Sequence, residues 1–150
     1  MASQQLIIFV GLQGSGKSTY YHRNFAAPHV LVSKDMMTNS RIKDVQQEQM
    51  IDKALTAGQS VVVDNTNPTA IVRSPLIGIG KRHGARVIAY YFVVPVKVAV
   101  ARNRQREGKA RVPDVAIFVT AKKLIAPKFE EGFDEIHVVA AETADGEAKS

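Results

Sequence analysis

Five short apolar runs recur along the chain, separated by longer segments of mixed composition. They are rich in β-branched side chains and do not alternate cleanly with polar residues, which is typical of strands buried on both faces of a parallel sheet. The predicted strands are residues 5–10, 30–33, 60–64, 86–94 and 135–140.

The segments between these runs are long enough to form helices. The predicted helices are residues 17–25, 39–57, 68–83, 96–106 and 114–129. Pro68 suits a first helical turn, and Gly58 and Gly84 are typical of the position after a helix. Pro75 lies inside the third predicted helix and is expected to kink or interrupt it. The alternation predicts an α/β fold: a doubly wound, mainly parallel five-stranded sheet with helices on both faces.

Length and composition fit one folded domain. The chain has 150 residues, 45% of them hydrophobic, and no cysteine, which excludes disulfides and thiol catalysis. We expect residues 1–140 to form the domain and the small, polar residues 141–150 to form a disordered tail. No apolar run approaches the roughly 20 residues of a membrane span, and no signal-peptide core follows the start. These features predict a cytoplasmic protein with no membrane partner.

The net charge of +6 is compatible with nucleic-acid binding, but its distribution weakens that argument. Much of the excess comes from one segment, which contains Arg102, Arg104, Arg106, Lys109 and Arg111 against Glu107. One short basic segment need not form a broad phosphate-binding face. Charge alone therefore does not identify the partner.

A phosphate-binding motif follows the first predicted strand. The pattern GxxxxGK followed by Ser or Thr is matched in full by Gly11-Leu12-Gln13-Gly14-Ser15-Gly16-Lys17-Ser18. In such a loop the backbone N–H groups and the helix N-terminus face the phosphates of a nucleotide. We therefore predict ATP binding by Gly11, Gln13, Gly14, Ser15, Gly16, Lys17, Ser18 and Thr19. Lys17 is expected to bridge the β- and γ-phosphates with an exposed side chain, and Ser18 to bind Mg²⁺.

Two aspartates follow predicted strands, at the sheet edge where open α/β sheets bind their ligands. Asp35 follows the second strand and can accept the proton of an attacking hydroxyl. Asp64 ends the third strand and can hold Mg²⁺ or orient the acceptor. The alternative for each is helix capping, which is compatible with a catalytic role.

Two arginines lie late in the fourth predicted helix. Arg102 and Arg106 are four residues apart, so a helix would place them on one face, where an anion would relieve their repulsion. We predict that both stabilise the transferring phosphoryl group, and that the segment 104–111 closes over ATP as a lid. The alternative is a solvated basic helix end favoured by the helix dipole.

These motifs together resemble the kinase domain of the polynucleotide 5′-hydroxyl kinase family, over about residues 6–138. The resemblance rests on the phosphate-binding loop, on Ser33-Lys34-Asp35, on Asp64-Asn65-Thr66-Asn67-Pro68 with Arg73, and on Arg102 to Arg106 followed by Val112-Pro113. It implies a P-loop kinase-like fold that transfers the γ-phosphate of ATP, with Mg²⁺, to the 5′-hydroxyl of a nucleic acid.

The resemblance also implies an acceptor site. Its predicted contacts are Asp35, Arg41, Asp64, Asn65, Thr66, Asn67 and Arg73. Thr38 departs from the pattern, because some family members have at this position an arginine that holds the acceptor phosphate. Arg41, one turn later, is the alternative candidate.

Two other functions fit the same residues. A kinase of a nucleoside, sugar or other metabolite would share the loop, Asp35 and the basic lid. An ATP-dependent switch would share only the loop, because it needs no general base. A broad positive channel on the acceptor side would favour a nucleic acid, and a closed pocket would favour a small molecule.

Overall fold

The computed structural model describes residues 4–25, 29–37, 42–108 and 111–140. Along these residues strands alternate with helices. The strands are β1 (Gln5–Val10), β2 (His29–Val32), β3 (Ser60–Val63), β4 (Arg86–Val93) and β5 (Glu135–Ala140). The α-helices are α1 (Lys17–Asn24), α2 (Lys43–Thr56), α3 (Ala70–Arg82), α4 (Val96–Arg104) and α5 (Asp114–Lys123). Short 3₁₀ helices span Lys34–Met36 and Phe129–Glu131. The predicted tail, Thr38 and Arg41 lie outside the described residues.

The sheet has the strand order β2-β3-β1-β4-β5, and every neighbouring pair is parallel. The predicted doubly wound sheet is therefore confirmed, and it is wholly rather than mainly parallel. The chain runs from β1 to β2 at one edge of the sheet. From β3 it crosses to β4, on the other side of β1. The carboxyl ends of β1 and β3 accordingly border the crevice in which such sheets bind ligands.

Apolar side chains fill both faces of the sheet. On one face β1 and β3 pack against α2 and α3, through residues that include Leu6, Ile8, Val63, Leu55 and Leu76. On the other face an aromatic cluster around Phe9 and Phe92 packs against Tyr21 of α1. A third cluster joins α4 and α5. Helices cover both faces, as predicted, and among the described residues no helix has the length and hydrophobicity needed to cross a bilayer.

The structure tests part of the prediction for the two prolines near α3. Pro68 precedes the helix rather than lying in its first turn. The N-cap is Thr69, and the Thr69 hydroxyl accepts a hydrogen bond from the Val72 N–H (3.3 Å). Pro75 does not interrupt α3, which continues to its end at Arg82. Because Pro75 lies on the exposed face, water can solvate the carbonyl that the proline leaves without an intrahelical donor.

Two helices end earlier than predicted. The fourth ends at Arg104 rather than at residue 106, and the fifth ends at Lys123 rather than at residue 129. Leu124 leaves the helix with an extended backbone, shortly before Pro127. Gly58 and Gly84 follow α2 and α3 with positive φ, as predicted.

Candidate active site

The loop between β1 and α1 packs closely against the neighbouring elements. Gly14 and Gly16 have left-handed backbones, with φ of 77° and 95°. A Cβ on Gly14 would lie 2.5 Å from the carbonyl oxygen of Ala99 in α4. This position therefore needs glycine both for its backbone conformation and for the close approach to α4.

The side chain of Lys17 is buried, with 7% exposure, so the expectation of an exposed side chain was wrong. Its Nζ donates to the carbonyl oxygens of Gly11 (3.0 Å) and Leu12 (2.6 Å) and to Ser15 Oγ (3.3 Å). The curved backbone of the loop presents these oxygens to the ammonium group. The loop therefore holds the lysine at its centre.

The charge of Lys17 is sensitive to its surroundings. Burial lowers the pKa of its ammonium group from 10.5 to about 8. The negative charge of Asp64 opposes this effect, the positive charge of Arg106 adds to it, and the negative charge of Asp35 opposes it. Three residues predicted to act in phosphoryl transfer are thus close enough to influence Lys17.

Ser18 and Asp64 meet across the sheet edge. Ser18 Oγ donates to Asp64 Oδ2 (2.8 Å), and Asp64 follows β3 in a buried position. Oxygen donors of this kind suit Mg²⁺, which is commonly held by one or two protein groups together with nucleotide phosphates and water. Among the described residues no group of three or more His, Cys, Asp or Glu could hold a metal. The Ser18 hydroxyl and the Asp64 carboxylate fit a magnesium ion bound together with a nucleotide.

Asp35 is an exposed residue in the 3₁₀ turn after β2. The turn is held by Ser33, whose Oγ accepts from the Asp35 N–H (3.2 Å), and by Asn65, whose Oδ1 accepts from the Lys34 N–H (2.9 Å). Asn65 Nδ2 in turn donates to Oε1 of Gln47, a buried residue of α2. Asn65, which was predicted to contact the phosphate-accepting substrate, thus uses its side chain to position Asp35. Gln47 was missed, because nothing near it in the sequence indicates this contact.

The loop after β3 is attached to the first strand and the phosphate-binding loop. Asn67 has a positive φ of 42°, and its Nδ2 donates to the carbonyl oxygen of Phe9 (2.7 Å). The Gly11 N–H donates to the carbonyl oxygen of Thr66 (3.1 Å). These bonds fix Asp64 and its neighbours relative to the nucleotide site.

Arg73 does not face this site, which corrects its prediction as a substrate contact. It is completely buried, and its guanidinium forms a bidentate pair with Glu131, at 2.8 and 3.0 Å. Nη1 also donates to the carbonyl oxygens of Asn67 (2.9 Å) and Ile125 (3.0 Å). Burial opposes ionisation of Glu131, but hydrogen bonds from Arg73 and a backbone N–H outweigh it and lower its pKa. Arg73 therefore supports the loop after β3 from behind.

One cleft of about 390 Å³ collects most of the predicted catalytic and acceptor residues. Those that line it are Gln13, Lys17, Ser18, Asp35, Asp64, Asn65, Thr66, Asn67 and Arg106. A second pocket, of about 630 Å³, is lined by Gly14, Ser15, Gly16, Thr19, Arg102 and Arg106, among others. Arg106 borders both pockets. The phosphate-binding loop supplies residues to both.

The arginine segment differs from its prediction in detail. Because α4 ends at Arg104, Arg106 lies beyond the helix and does not share a helix face with Arg102. The segment is anchored at both ends: Asn103, fully buried, exchanges hydrogen bonds with the backbone of Val112 (2.6 and 3.0 Å). Arg104 also pairs with Asp114 (2.7 Å). Residues 109 and 110 of the predicted lid lie outside the described residues.

Fold and site together define a P-loop domain of the kinase-like class, with acidic strand ends and basic residues around the phosphate-binding loop. Residues 6–124 match the family model AAA_33, described as an AAA domain, and the chain belongs to that family.

Curated relatives support the resemblance predicted from the sequence. The bifunctional polynucleotide phosphatase/kinase of Schizosaccharomyces pombe is 27% identical over 141 residues, covering 91% of this chain. A relative from Acanthamoeba polyphaga mimivirus, whose name also gives polynucleotide phosphatase and kinase, is 30% identical over 144 residues, covering 91% of this chain. The chain spans 33% of the length of each. The predicted family resemblance is thus confirmed.

Solved structures confirm the fold. A fungal RNA kinase superposes with a TM-score of 0.74 at 15% identity, covering 100% of this chain and 41% of that one. A gluconokinase from Sinorhizobium meliloti 1021 superposes with a TM-score of 0.68 at 17% identity, covering 95% and 86%. The fold is therefore common to proteins named as RNA kinases and as small-molecule kinases, and it does not distinguish between acceptors.

Proposed function

We propose that this chain is an ATP-dependent kinase domain that transfers the γ-phosphate to the 5′-hydroxyl of a nucleic acid. One observation carries the phosphoryl-transfer part of the proposal. A single cleft contains the buried Lys17, the hydrogen-bonded Ser18 and Asp64, the exposed Asp35 and Arg106. These residues come from separate segments of the sequence, and phosphoryl transfer needs each of these chemical groups.

The phosphate-binding loop holds the donor. Its N–H groups and the N-terminus of α1 bind the phosphates of ATP, and Lys17 exchanges loop carbonyl oxygens for β- and γ-phosphate oxygens. Phosphate charge beside the buried ammonium favours its protonated form. Ser18 and Asp64 would hold Mg²⁺, which would supply positive charge close to the phosphates of ATP.

Asp35 activates the acceptor. Its exposed carboxylate accepts the proton of the hydroxyl as the oxygen forms a bond to the γ-phosphorus, while the bond from that phosphorus to the β–γ bridging oxygen breaks and ADP leaves. Arg106 borders the same cleft and Arg102 the adjoining pocket. Both are suited to stabilising negative charge on the transferring group.

The names of the curated relatives support a nucleic acid as the acceptor. The second candidate is kinase activity toward a small molecule, which is compatible with the gluconokinase-like fold. An ATP-dependent switch is the weakest alternative, because it gives no role to Asp35.

The test is transfer of labelled γ-phosphate from ATP to a panel of 5′-hydroxyl DNA and RNA oligonucleotides, nucleosides and sugars, with Lys17→Met as the inactive control. We expect the oligonucleotides to become labelled, and we expect a 5′-phosphatase to remove the label. Transfer only to a sugar or another metabolite would support the second candidate, and ATP binding without transfer to any acceptor would support the switch.

A further inference from the structure

Asn103, the second-last residue of α4, is completely buried where the helix meets the phosphate-binding loop. A Cβ on Gly14 would lie 3.4 Å from the Asn103 backbone nitrogen, so the two segments are in direct contact. The predicted arginine motif contains Asn103 but gave its side chain no role. A buried amide needs hydrogen-bond partners, and these partners show which parts of the chain Asn103 joins.

The hydrogen bonds of Asn103 join the chain on both sides of the basic segment to one residue. Its Nδ2 donates to the carbonyl oxygen of Val112 (2.6 Å), and its Oδ1 accepts from the Val112 N–H (3.0 Å). The Asn103 carbonyl oxygen accepts from the Arg106 N–H (3.0 Å). Arg106 and Val112 both line the cleft. Asn103 thus fixes the backbone of the cleft arginine relative to the phosphate-binding loop.

Arg106 lies among charges that oppose its position unless phosphates are bound. Its positive charge lowers the pKa of Lys17, so the two cations are close enough to repel each other. The other charged residues that line the cleft are the cations Lys34 and Lys123 and the carboxylates Asp35 and Asp64. With Lys17 and Arg106, four cations therefore face two carboxylates. The backbone bonds to Asn103 hold Arg106 beside the cleft against this surplus of positive charge.

We propose that Asn103 is a positioning residue, which holds the Arg106 guanidinium at the cleft through its bonds to Val112 and to the Arg106 backbone. The inference rests on the proposed function, in which Arg106 stabilises negative charge on the transferring phosphoryl group. A group held in place beforehand needs no reorganisation as that charge develops. If Asn103 had only a structural role, losing its bonds would lower stability without changing what Arg106 contributes to turnover.

The test is a double-mutant cycle of Asn103→Leu and Arg106→Ala, measured as single-turnover transfer from saturating ATP to a 5′-hydroxyl oligonucleotide. Leucine is close to asparagine in size but makes neither hydrogen bond to Val112. Asn103→Leu should slow transfer by about tenfold or more with ATP affinity unchanged, because a small displacement of a catalytic group is costly. In the Arg106→Ala background the same substitution should change the rate by less than about twofold.

The matched control is Gln4→Leu, which also removes two bonds from a side-chain amide to the backbone. Gln4 Nε2 donates to the carbonyl oxygens of Leu55 (2.8 Å) and Gln59 (3.0 Å), at the end of β1 opposite the phosphate-binding loop. Gln4→Leu should lower the free energy of unfolding in urea but transfer phosphate at the wild-type rate. All rates are compared at a temperature at which urea unfolding shows each variant to be folded. If Asn103→Leu does not fold, Asn103→Ala, which is too small to clash, enters the same cycle.

The outcomes separate the positioning role from the proposed function. If Asn103→Leu slows transfer equally with and without Arg106, or lowers ATP affinity as much as the rate, its role is structural and the proposed function stands. An unchanged rate in Asn103→Leu or in Arg106→Ala overturns the positioning role in the same way. Transfer by the wild type to a sugar but not to oligonucleotides overturns the nucleic-acid acceptor, and the cycle is then measured with that sugar. Absence of wild-type transfer to every acceptor overturns both.

Discussion

The buried ammonium group of Lys17 predicts that the stability of the folded protein depends on pH. This prediction can be tested without knowing the acceptor. Burial lowers its pKa in the folded protein from 10.5 to about 8. The folded state therefore binds this proton less tightly than the unfolded chain, and the charged lysine costs stability. The cost is fully present below about pH 8 and disappears as the pH rises toward 10.5.

The magnitude follows from the two pKa values. The difference between 10.5 and about 8 corresponds to about 3 kcal/mol at about 1.36 kcal/mol per pH unit. About 1 kcal/mol of this is recovered between pH 7 and pH 9, because the folded protein releases the proton in that interval while the unfolded chain retains it.

The assay is urea unfolding of the wild type and Lys17→Met at pH 7 and pH 9 without nucleotide. Losing the hydrogen bonds of Lys17 shifts the stability of the variant by an amount that does not depend on pH. The informative quantity is therefore how the stability difference between the two proteins changes from pH 7 to pH 9. We expect the wild type to gain about 1 kcal/mol relative to Lys17→Met. Lys122→Met, which removes an exposed lysine, should follow the wild type. Parallel pH curves for the wild type and Lys17→Met would show that burial does not lower the pKa of Lys17 into this range.

Three further predictions concern the predicted lid, the packing of the phosphate-binding loop and the turn that carries Asp35. Alanine at Arg102 or Arg106 should lower turnover by about a hundredfold with little effect on ATP affinity, and lysine should rescue only partly. Full activity of the alanine variants would show that neither arginine stabilises the transferring group. Gly14→Ala should lower the free energy of unfolding in urea by about 2 kcal/mol, and Gly58→Ala, at a position with open space around it, by about 1 kcal/mol. Equal losses for the two variants would contradict the close packing of Gly14 against α4. Gln47→Leu should lower kcat but not ATP affinity, with Gln47→Glu retaining activity; an unchanged kcat would exclude the positioning role.

The sheet and most of the cleft could be predicted because their signals are local. Continuous β-branched runs mark buried parallel strands, and the carboxyl ends of neighbouring strands must lie at one edge. Asp35 and Asp64 were therefore expected near the phosphate-binding loop, and the structure brings them into one cleft.

The remaining features depend on contacts that are distant in sequence. The sequence alone makes Arg73 a candidate ligand contact, because its partner Glu131 is 58 residues away and no local pattern indicates the pair. Residues 105 and 106 have ordinary helix propensity, and the local sequence gives no sign that the Asn103 side chain will bind the backbone of Val112 and close a loop after α4.

The proposed phosphate transfer depends on Asp35, which is expected to activate the acceptor hydroxyl in a cleft where other residues bind ATP. The most direct measurement compares ATP affinity and single-turnover transfer to a 5′-hydroxyl oligonucleotide for the wild type, Asp35→Asn and the control Asp52→Asn, whose side chain contacts His83 on the protein surface. Asp35→Asn should bind ATP about as tightly as the wild type but transfer phosphate at least about a hundredfold more slowly, and Asp52→Asn should match the wild type. A collapse of ATP affinity in Asp35→Asn, with single-turnover chemistry preserved, would contradict the claim.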